Sequence, residues 1–502
     1  AILAQALCSS CMLAENSRKS QCARLEAMFI CAFLAIAIPS LAEGNCEAYD
    51  CESPSNILLQ TAHHHQREKK YFWPSGRGKY PFFAVSEHNA PFHLNDSLAW
   101  SWHHPDGRFH TLTYGTAIDD DMNVYLSAAD GMRKFDKDGH LMWEHSSRPA
   151  DFMNAPVIYE GLVYASDDHG QVRAIDMQSG DRVWITNVSS SIGQDNGFNM
   201  VNQGVLFTAA DWTGEGPNGP ANKYVMALNA STGAILWSYQ PDTAVWNFLP
   251  LFPDETSVIF QDLEGKAYRL TMEGKLMWKA GGLAGTWTDG GAALGPNGLV
   301  YAVNNNHFPL GPGPESSTMP GTLSAYDVKD GTLRWRVTTR RPPNNAPAVG
   351  KVYGWDGLSV VMPLCNQVMK GATCDVNVYD ANTGDTRWVF HGPTQKGLLQ
   401  AGDFEGLRER LEVFGGDDMP RTLCLPNGWS APTIAADGTV FVGSEEGPMF
   451  ALRDEDSDGR VLGEKEVSFF ETKAAFSGSS SAAIAPQMMA IASCDSLFVF
   501  KG

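Results

Sequence analysis

The chain has 502 residues, 43% of them apolar, and a formal charge of −20. This length allows two or three ordinary cores or one large one. The acidic balance, without clustered Lys and Arg, excludes nucleic acid or an anionic membrane face as the main partner and favours a soluble protein.

The first 42 residues read as a leader. A start at Met12 places Arg18, Lys19 and Arg24 in a basic region, residues 28–38 in an apolar run, and Ser40-Leu-Ala42 as small residues before Glu43. The apolar run is short for a bilayer crossing. Cleavage after Ala42 predicts a secreted or lumenal chain with no membrane span, and a retained signal anchor is the alternative. Cleavage removes Cys8, Cys11, Cys22 and Cys31 and leaves an even set, Cys46, Cys51, Cys365, Cys374, Cys424 and Cys494. Even sets in exported chains suit disulfides. The local pairs are Cys46 with Cys51 and Cys365 with Cys374, leaving Cys424 for Cys494; six free thiols are the competing reading.

Residues 43–95 show no repeat and are expected to be a flexible linker. His63, His64 and His65 lie within them, but neighbours in an extended chain point to opposite sides, so a solvated tract is favoured over a metal site.

Residues 96–502 are built on a repeat. Its fullest copy is Ala227-Leu-Asn-Ala-Ser-Thr-Gly-Ala-Ile-Leu-Trp237, with others ending at Trp184, Trp335 and Trp388 and shorter ones at Trp143 and Trp278. Each copy predicts two strands joined by a tight turn, in which Gly supplies positive φ. Trp102 to Trp143, Trp143 to Trp184 and Trp237 to Trp278 are each 41 residues apart. A period near 40 with about four strands each is the signature of an all-β propeller. Blades are predicted at residues 111–144, 152–186, 198–239, 246–279, 287–337, 345–390, 429–470 and 476–500. Residues 98–103 complete the last, giving eight four-stranded antiparallel blades closed by the N-terminal strand.

The insertions 211–222, 304–321 and 366–374 interrupt second and third strands, and 391–428 joins two blades. All four therefore fall on one face, the upper, which becomes the expected binding face. The innermost strands begin near Phe152, Phe198, Trp246, Trp287, Trp429 and Phe476. These rings either line the mouth of the central funnel, where they stack on a planar or sugar-like ligand, or pack between blades as wedges. Asp151, Asp195 and Asp289 lie near the same mouth, but no spacing marks a base beside a metal.

Asp454-Glu-Asp456-Ser-Asp458-Gly459-Arg460 places carboxylates at alternate positions before a Gly and a further carbonyl, the first half of a calcium loop. Lys465 stands where the closing Glu belongs, flanked by Glu464 and Glu466. A structural calcium on the lower face and a plain acidic hairpin both remain open. Asn95, Asn187 and Asn229 each begin an Asn-x-Ser sequon.

The repeat resembles that of the quinoprotein-like (PQQ-repeat) propellers, Ala-x-Asp-x-x-Thr-Gly-x-x-x-Trp, over roughly residues 98–502. That family includes dehydrogenases dependent on pyrroloquinoline quinone (PQQ) and non-catalytic relatives such as the outer-membrane assembly lipoprotein of bacteria. The resemblance implies two functions. One is an exported, non-catalytic scaffold, a monomer or part of a larger assembly, that binds a protein or saccharide through its upper face. The other is a PQQ- and calcium-dependent alcohol or sugar dehydrogenase. Many such enzymes carry adjacent Cys residues, and no Cys-Cys pair occurs here.

Overall fold

The repeated turn explains the sheets it joins. Asn229 Oδ1 accepts the amides of Ser231 at 3.1 Å and Thr232 at 3.0 Å, and Gly233 takes a φ of +73°. This reverses the chain so that Tyr224–Asn229 pairs antiparallel with Ile235–Tyr239. Asp176, Asp327 and Asp380 open the equivalent turns by accepting the amide two residues on.

The computed structural model describes residues 71–81, 83–105, 113–189, 198–210, 222–245, 247–283, 286, 288, 290–305, 320–343, 345–365, 373–394, 428–476 and 480–502. All of these belong to the compact unit Arg67–Gly502.

Eight four-stranded antiparallel sheets form a ring. Blade 1 runs outwards through Thr113–Ile118, Val124–Ala128, Gly131–Phe135 and Leu141–Ser146. The innermost strands of blades 2 to 7 are Val157–Tyr159, Met200–Asn202, Leu251–Asp254, Ala293–Leu294, Ala348–Gly350 and Thr433–Ile434. Their outermost strands are Arg182–Asn187, Ile235–Tyr239, Leu276–Gly281, Leu333–Thr339, Thr386–Thr394 and Val467–Glu471. Blade 8 takes Ala483–Ala485, Met488–Ala492 and Ser496–Lys501 from the C-terminus and Leu98–His103 from the N-terminal side, closing the ring as expected. Inner and middle strands are buried on both faces, whereas outer strands alternate exposed and half-buried residues. Cys365 and Cys374 form the expected disulfide. Cys494 is also disulfide-bonded; Cys424, like Cys46 and Cys51, lies outside the described residues. No helix among the described residues is long and apolar enough to cross a membrane.

A Trp at the end of the repeat fastens one blade to the next at most seams. Trp143, Trp184, Trp237, Trp278 and Trp335 each donate Nε1 to a carbonyl in the following blade's third-to-fourth-strand turn, at 2.7–3.1 Å. Each indole lies over that turn's Gly: a Cβ on Gly180, Gly233, Gly274, Gly331 or Gly384 would come within 3.0 Å of the ring atoms. In the closing strand it is Trp100, not Trp102, that makes this contact, with Lys137 O at 3.1 Å and over Gly139. The periodic match to Trp102 is thus two residues out of register. Trp102 instead receives the Arg133 guanidinium at 4.9 Å.

The stretch expected as a linker is different in its described part. Residues 71–86 enter the ring from the lower face. Trp73 pairs with Ile118, Ser75 with Val157 and Val85 with Ile434, all on innermost strands. Residues 94–97 form one helical turn packed on blades 7 and 8.

This packing gives a measurable contrast. Gly274 (φ +80°) would drive a Cβ to 2.6 Å from Trp237, whereas Gly298 (φ +75°) has nothing within 4 Å. Both Ala variants carry left-handed strain, but only Gly274→Ala disrupts a blade seam. Urea unfolding should show a loss of roughly 1–2 kcal/mol for Gly298→Ala and roughly 2–4 kcal/mol for Gly274→Ala. Equal losses would mean that the indole contact contributes nothing.

Candidate functional site

The axis of the ring is occupied by the chain itself. Gly78 N–H donates to Ser75 O at 3.0 Å and Ala84 N–H to Arg77 O at 2.6 Å, making a tight bend that carries Arg77 inward. Arg77 is 1% exposed. Its Nη1 donates to Pro432 O at 3.0 Å and its Nη2 to Pro347 O at 2.8 Å, so one guanidinium ties blades 7 and 6. Its Nε has no partner, and burial pushes its pKa down to about 9. Gly76 fits only because it lacks a side chain: a Cβ would meet Ala155 at 2.5 Å and Phe198 at 2.9 Å. Its carbonyl accepts from Ser481 Oγ. Blades 2, 3, 6, 7 and 8 therefore all touch this bend. Sequence reasoning missed it, although the compact Pro74-Ser-Gly-Arg-Gly-Lys-Tyr-Pro81 run is a bend signal.

A cleft of about 530 Å³ opens beside the bend. Its lining includes Tyr71, Lys79, Tyr80, Tyr159, Glu160 and Gln203. Glu160 and Gln203 lie in the turns after the innermost strands of blades 2 and 3, so this cleft belongs to the lower face. The expected site was on the upper face, whose insertions 211–221, 306–319, 366–372 and 395–427 lie outside the described residues.

Four of the six rim aromatics can be placed, and all are buried. Phe152, Phe198, Trp429 and Phe476 are 0–2% exposed. Phe152 packs with Tyr71 and Ile158 in one core and has Arg173 over its ring at 5.5 Å. Phe198 joins the core of blades 3 and 4. Trp429 contacts Phe390 of blade 6 and Phe450 of blade 7. Phe476 covers Gly443, where a Cβ would come within 2.4 Å of the ring. Phe152, Trp429 and Phe476 act as wedges between blades, the packing role that is open to large rings at strand starts, and Phe198 also packs against Gly76 of the bend. Trp246 and Trp287 lie outside the described residues, as do Asp195, Asp289 and the three consecutive His.

The upper turns carry carboxylates. Asp151 pairs with Arg148, and Asp167 pairs with Arg173 at 2.8 Å. Glu445 is 1% exposed, and neither carboxylate oxygen has a hydrogen-bond partner. Desolvation, then the neighbouring Glu446, pushes its pKa well above the usual value.

The acidic loop holds together as a group. One carboxylate oxygen from each of Asp454, Asp456 and Asp458 lies within 4.8 Å of the others. Arg460 pairs through its backbone with Val389 in the outer strand of blade 6. Glu466 does not close the loop as a ligand would; it accepts the amides of Glu455 and Leu462, each at 2.9 Å.

Eight blades, a Thr-Gly turn and a terminal Trp over the next blade's Gly define a PQQ-repeat propeller. The family model described as outer membrane protein assembly factor BamB matches residues 92–240 and 193–350, just over half of the chain, which therefore belongs to this family. The chain is 24% identical over 263 residues to the dehydrogenase subunit of a quinone alcohol dehydrogenase from Gluconacetobacter polyoxogenes, covering 47% of this chain and 32% of that one. It is 24% identical over 225 residues to a tetrathionate hydrolase of Acidithiobacillus ferrooxidans, covering 42% and 41%. The chain thus spans about a third of the first relative's length and about two fifths of the second's. Among solved structures, BamB from Moraxella catarrhalis has a TM-score of 0.53 at 14% identity, over 81% of this chain and 97% of that one. The computationally designed Ika8 protein has a TM-score of 0.52 at 12% identity, over 81% and 100%. These structural likenesses show the fold alone.

The Glu445 environment makes a pH prediction. A carboxyl whose pKa is raised on folding binds more protons in the folded state than in the unfolded one, so its contribution falls as pH rises above about 4.5. Glu445→Gln should raise the melting temperature by a few degrees at pH 7.5 and leave it unchanged near pH 4. A variant less stable at pH 7.5 would indicate that the carboxylate is stabilised by a partner.

Proposed function

We propose that this chain is a non-catalytic propeller scaffold of an oxidising compartment that binds a protein or saccharide partner. The observation that carries this reading is the filled axis: Arg77, bonded to Pro347 and Pro432, occupies the channel that a planar cofactor would need. The Cys365 to Cys374 disulfide supports an exported chain. The lower cleft, with three Tyr beside Lys79 and Glu160, offers stacking faces and charged groups of the kind that hold a peptide or a sugar.

A PQQ- and calcium-dependent dehydrogenase is the alternative that the sequence relatives bring. The described residues around the axis do not fit that group. Asp151 and Asp167 are engaged by Arg148 and Arg173, the placed aromatic rings have no free face, and Glu445 is biased toward its protonated form.

The test is to titrate the purified protein with PQQ and calcium, following Trp fluorescence, and to assay dye reduction with a panel of alcohols and sugars. The scaffold reading expects neither saturable quenching nor turnover. Tight binding with turnover would overturn it.

A further inference from the structure

Six of the eight seams are fastened by a Trp over a Gly turn, and the seam between blades 6 and 7 is not. Trp388 ends its repeat like the others, but its Nε1 is buried without a partner. The acidic loop stands where blade 7 would offer the receiving turn. It reaches blade 6 in three places: Val389 N–H donates to Gly459 O at 3.2 Å, Trp355 Nε1 to Asp454 Oδ2 at 2.7 Å, and Ser457 Oγ to Gly354 O at 2.6 Å. Gly354 is required there, since a Cβ would sit 1.9 Å from the Asp454 carbonyl.

We propose that Asp454, Asp456 and Asp458, with the main-chain carbonyl of Arg460, bind a calcium-class divalent cation that fastens blade 7 to blade 6 where the Trp contact is missing. Two observations carry this. The three carboxylates converge within 4.8 Å, with Asp456 and Asp458 exposed and Asp454 fully buried. Independently, Asp454 Oδ1 is a buried oxygen with no hydrogen-bond partner, although Oδ2 is fully used by Trp355 and Gly459. A buried carboxylate oxygen left without a donor, beside two further carboxylates, is suited to a hard cation.

The donor set also states which cation. All the donors are oxygens, they come from an irregular loop, and several positions are left to water, which suits calcium better than the small octahedral magnesium ion. Glu466 is committed to the amides of Glu455 and Leu462, so the bidentate ligand of a full calcium loop is absent. Affinity should accordingly lie in the weak range of extracellular modules, about 10⁻⁴–10⁻³ M. Such a site fills at extracellular calcium concentrations.

Trp355 donates directly to Asp454 and so lies close enough to sensitise a bound lanthanide. The whole chain would be titrated with terbium under Trp excitation and back-titrated with calcium. Melting temperatures would be measured in calcium and in chelator for wild type, Asp456→Asn and Asp458→Asn. The proposal expects saturable terbium emission displaced by calcium, and a higher wild-type melting temperature in calcium than in chelator. Each variant should lose at least tenfold in terbium affinity and show no calcium shift, while melting in chelator no lower than wild type, because carboxylate repulsion is relieved. Absence of saturable emission, or an undiminished calcium shift in both variants, would overturn it.

Discussion

The ring depends on one contact, made at six of its eight seams: the indole of a repeat's last residue lying on the turn of the blade ahead. A blade buries its middle strands only by facing neighbours, so blade spacing has to be set somewhere, and here it is set at the outer edge. The indole needs a flat surface, which demands a residue without a side chain; the turn needs a residue at positive φ. Gly meets both requirements at once, and the freed turn carbonyl accepts the indole N–H. One dipeptide, Thr-Gly or its Ser-Gly, Asp-Gly and Glu-Gly variants, thereby serves the hairpin and the seam together.

That double use explains which parts of the molecule could be read from the sequence. Trp, Gly and the apolar strands recur at fixed spacing, so architecture, blade number and ring closure were legible. The register of the closing strand was not. Both Trp100 and Trp102 face the same way in an alternating strand, and a period of 41 residues selects the wrong one. The rim aromatics failed to stand out for a related reason. A ring at the start of an innermost strand can turn toward the axis or toward the next blade, and periodicity does not distinguish these. In Phe152, Trp429 and Phe476 the interblade space wins, whereas Phe198 also packs against Gly76 of the axial bend.

Residues 71–86 were illegible in a stronger sense. Gly76 and Arg77 at the bend find partners 270 to 405 residues away at Pro347, Pro432 and Ser481, and none of those positions carries a pattern that announces a guest. What could be read was local: a short run with two Gly and two Pro is a bend. That the bend lies on the axis follows from the size of an eight-bladed ring. Eight inner strands surround a central channel, and the bend packs there against the small side chain of Ala155. A cationic side chain is tolerated there because two proline carbonyls, which the sheets do not use, supply the acceptors.

The non-repeating features then fall into one sector. Arg77 bridges blades 6 and 7, Val85 pairs with the innermost strand of blade 7, and the helical turn 94–97 packs on the seam between blades 7 and 8. The acidic loop lies on the seam between blades 6 and 7, and Cys494 is disulfide-bonded in blade 8. Those are the two seams without a Trp over a Gly. Blade 8 cannot offer the receiving turn, since its third and fourth strands come from opposite ends of the chain, and blade 7 replaces its turn by a longer loop. A ring is only as strong as its weakest joint, so additional ties have most effect at these two. The N-terminal segment therefore does more than fill a hole. It carries stabilising contacts from blades 2 and 3, where the repeat is regular, across the axis to blades 6, 7 and 8, where the repeat alone leaves the seams least secured.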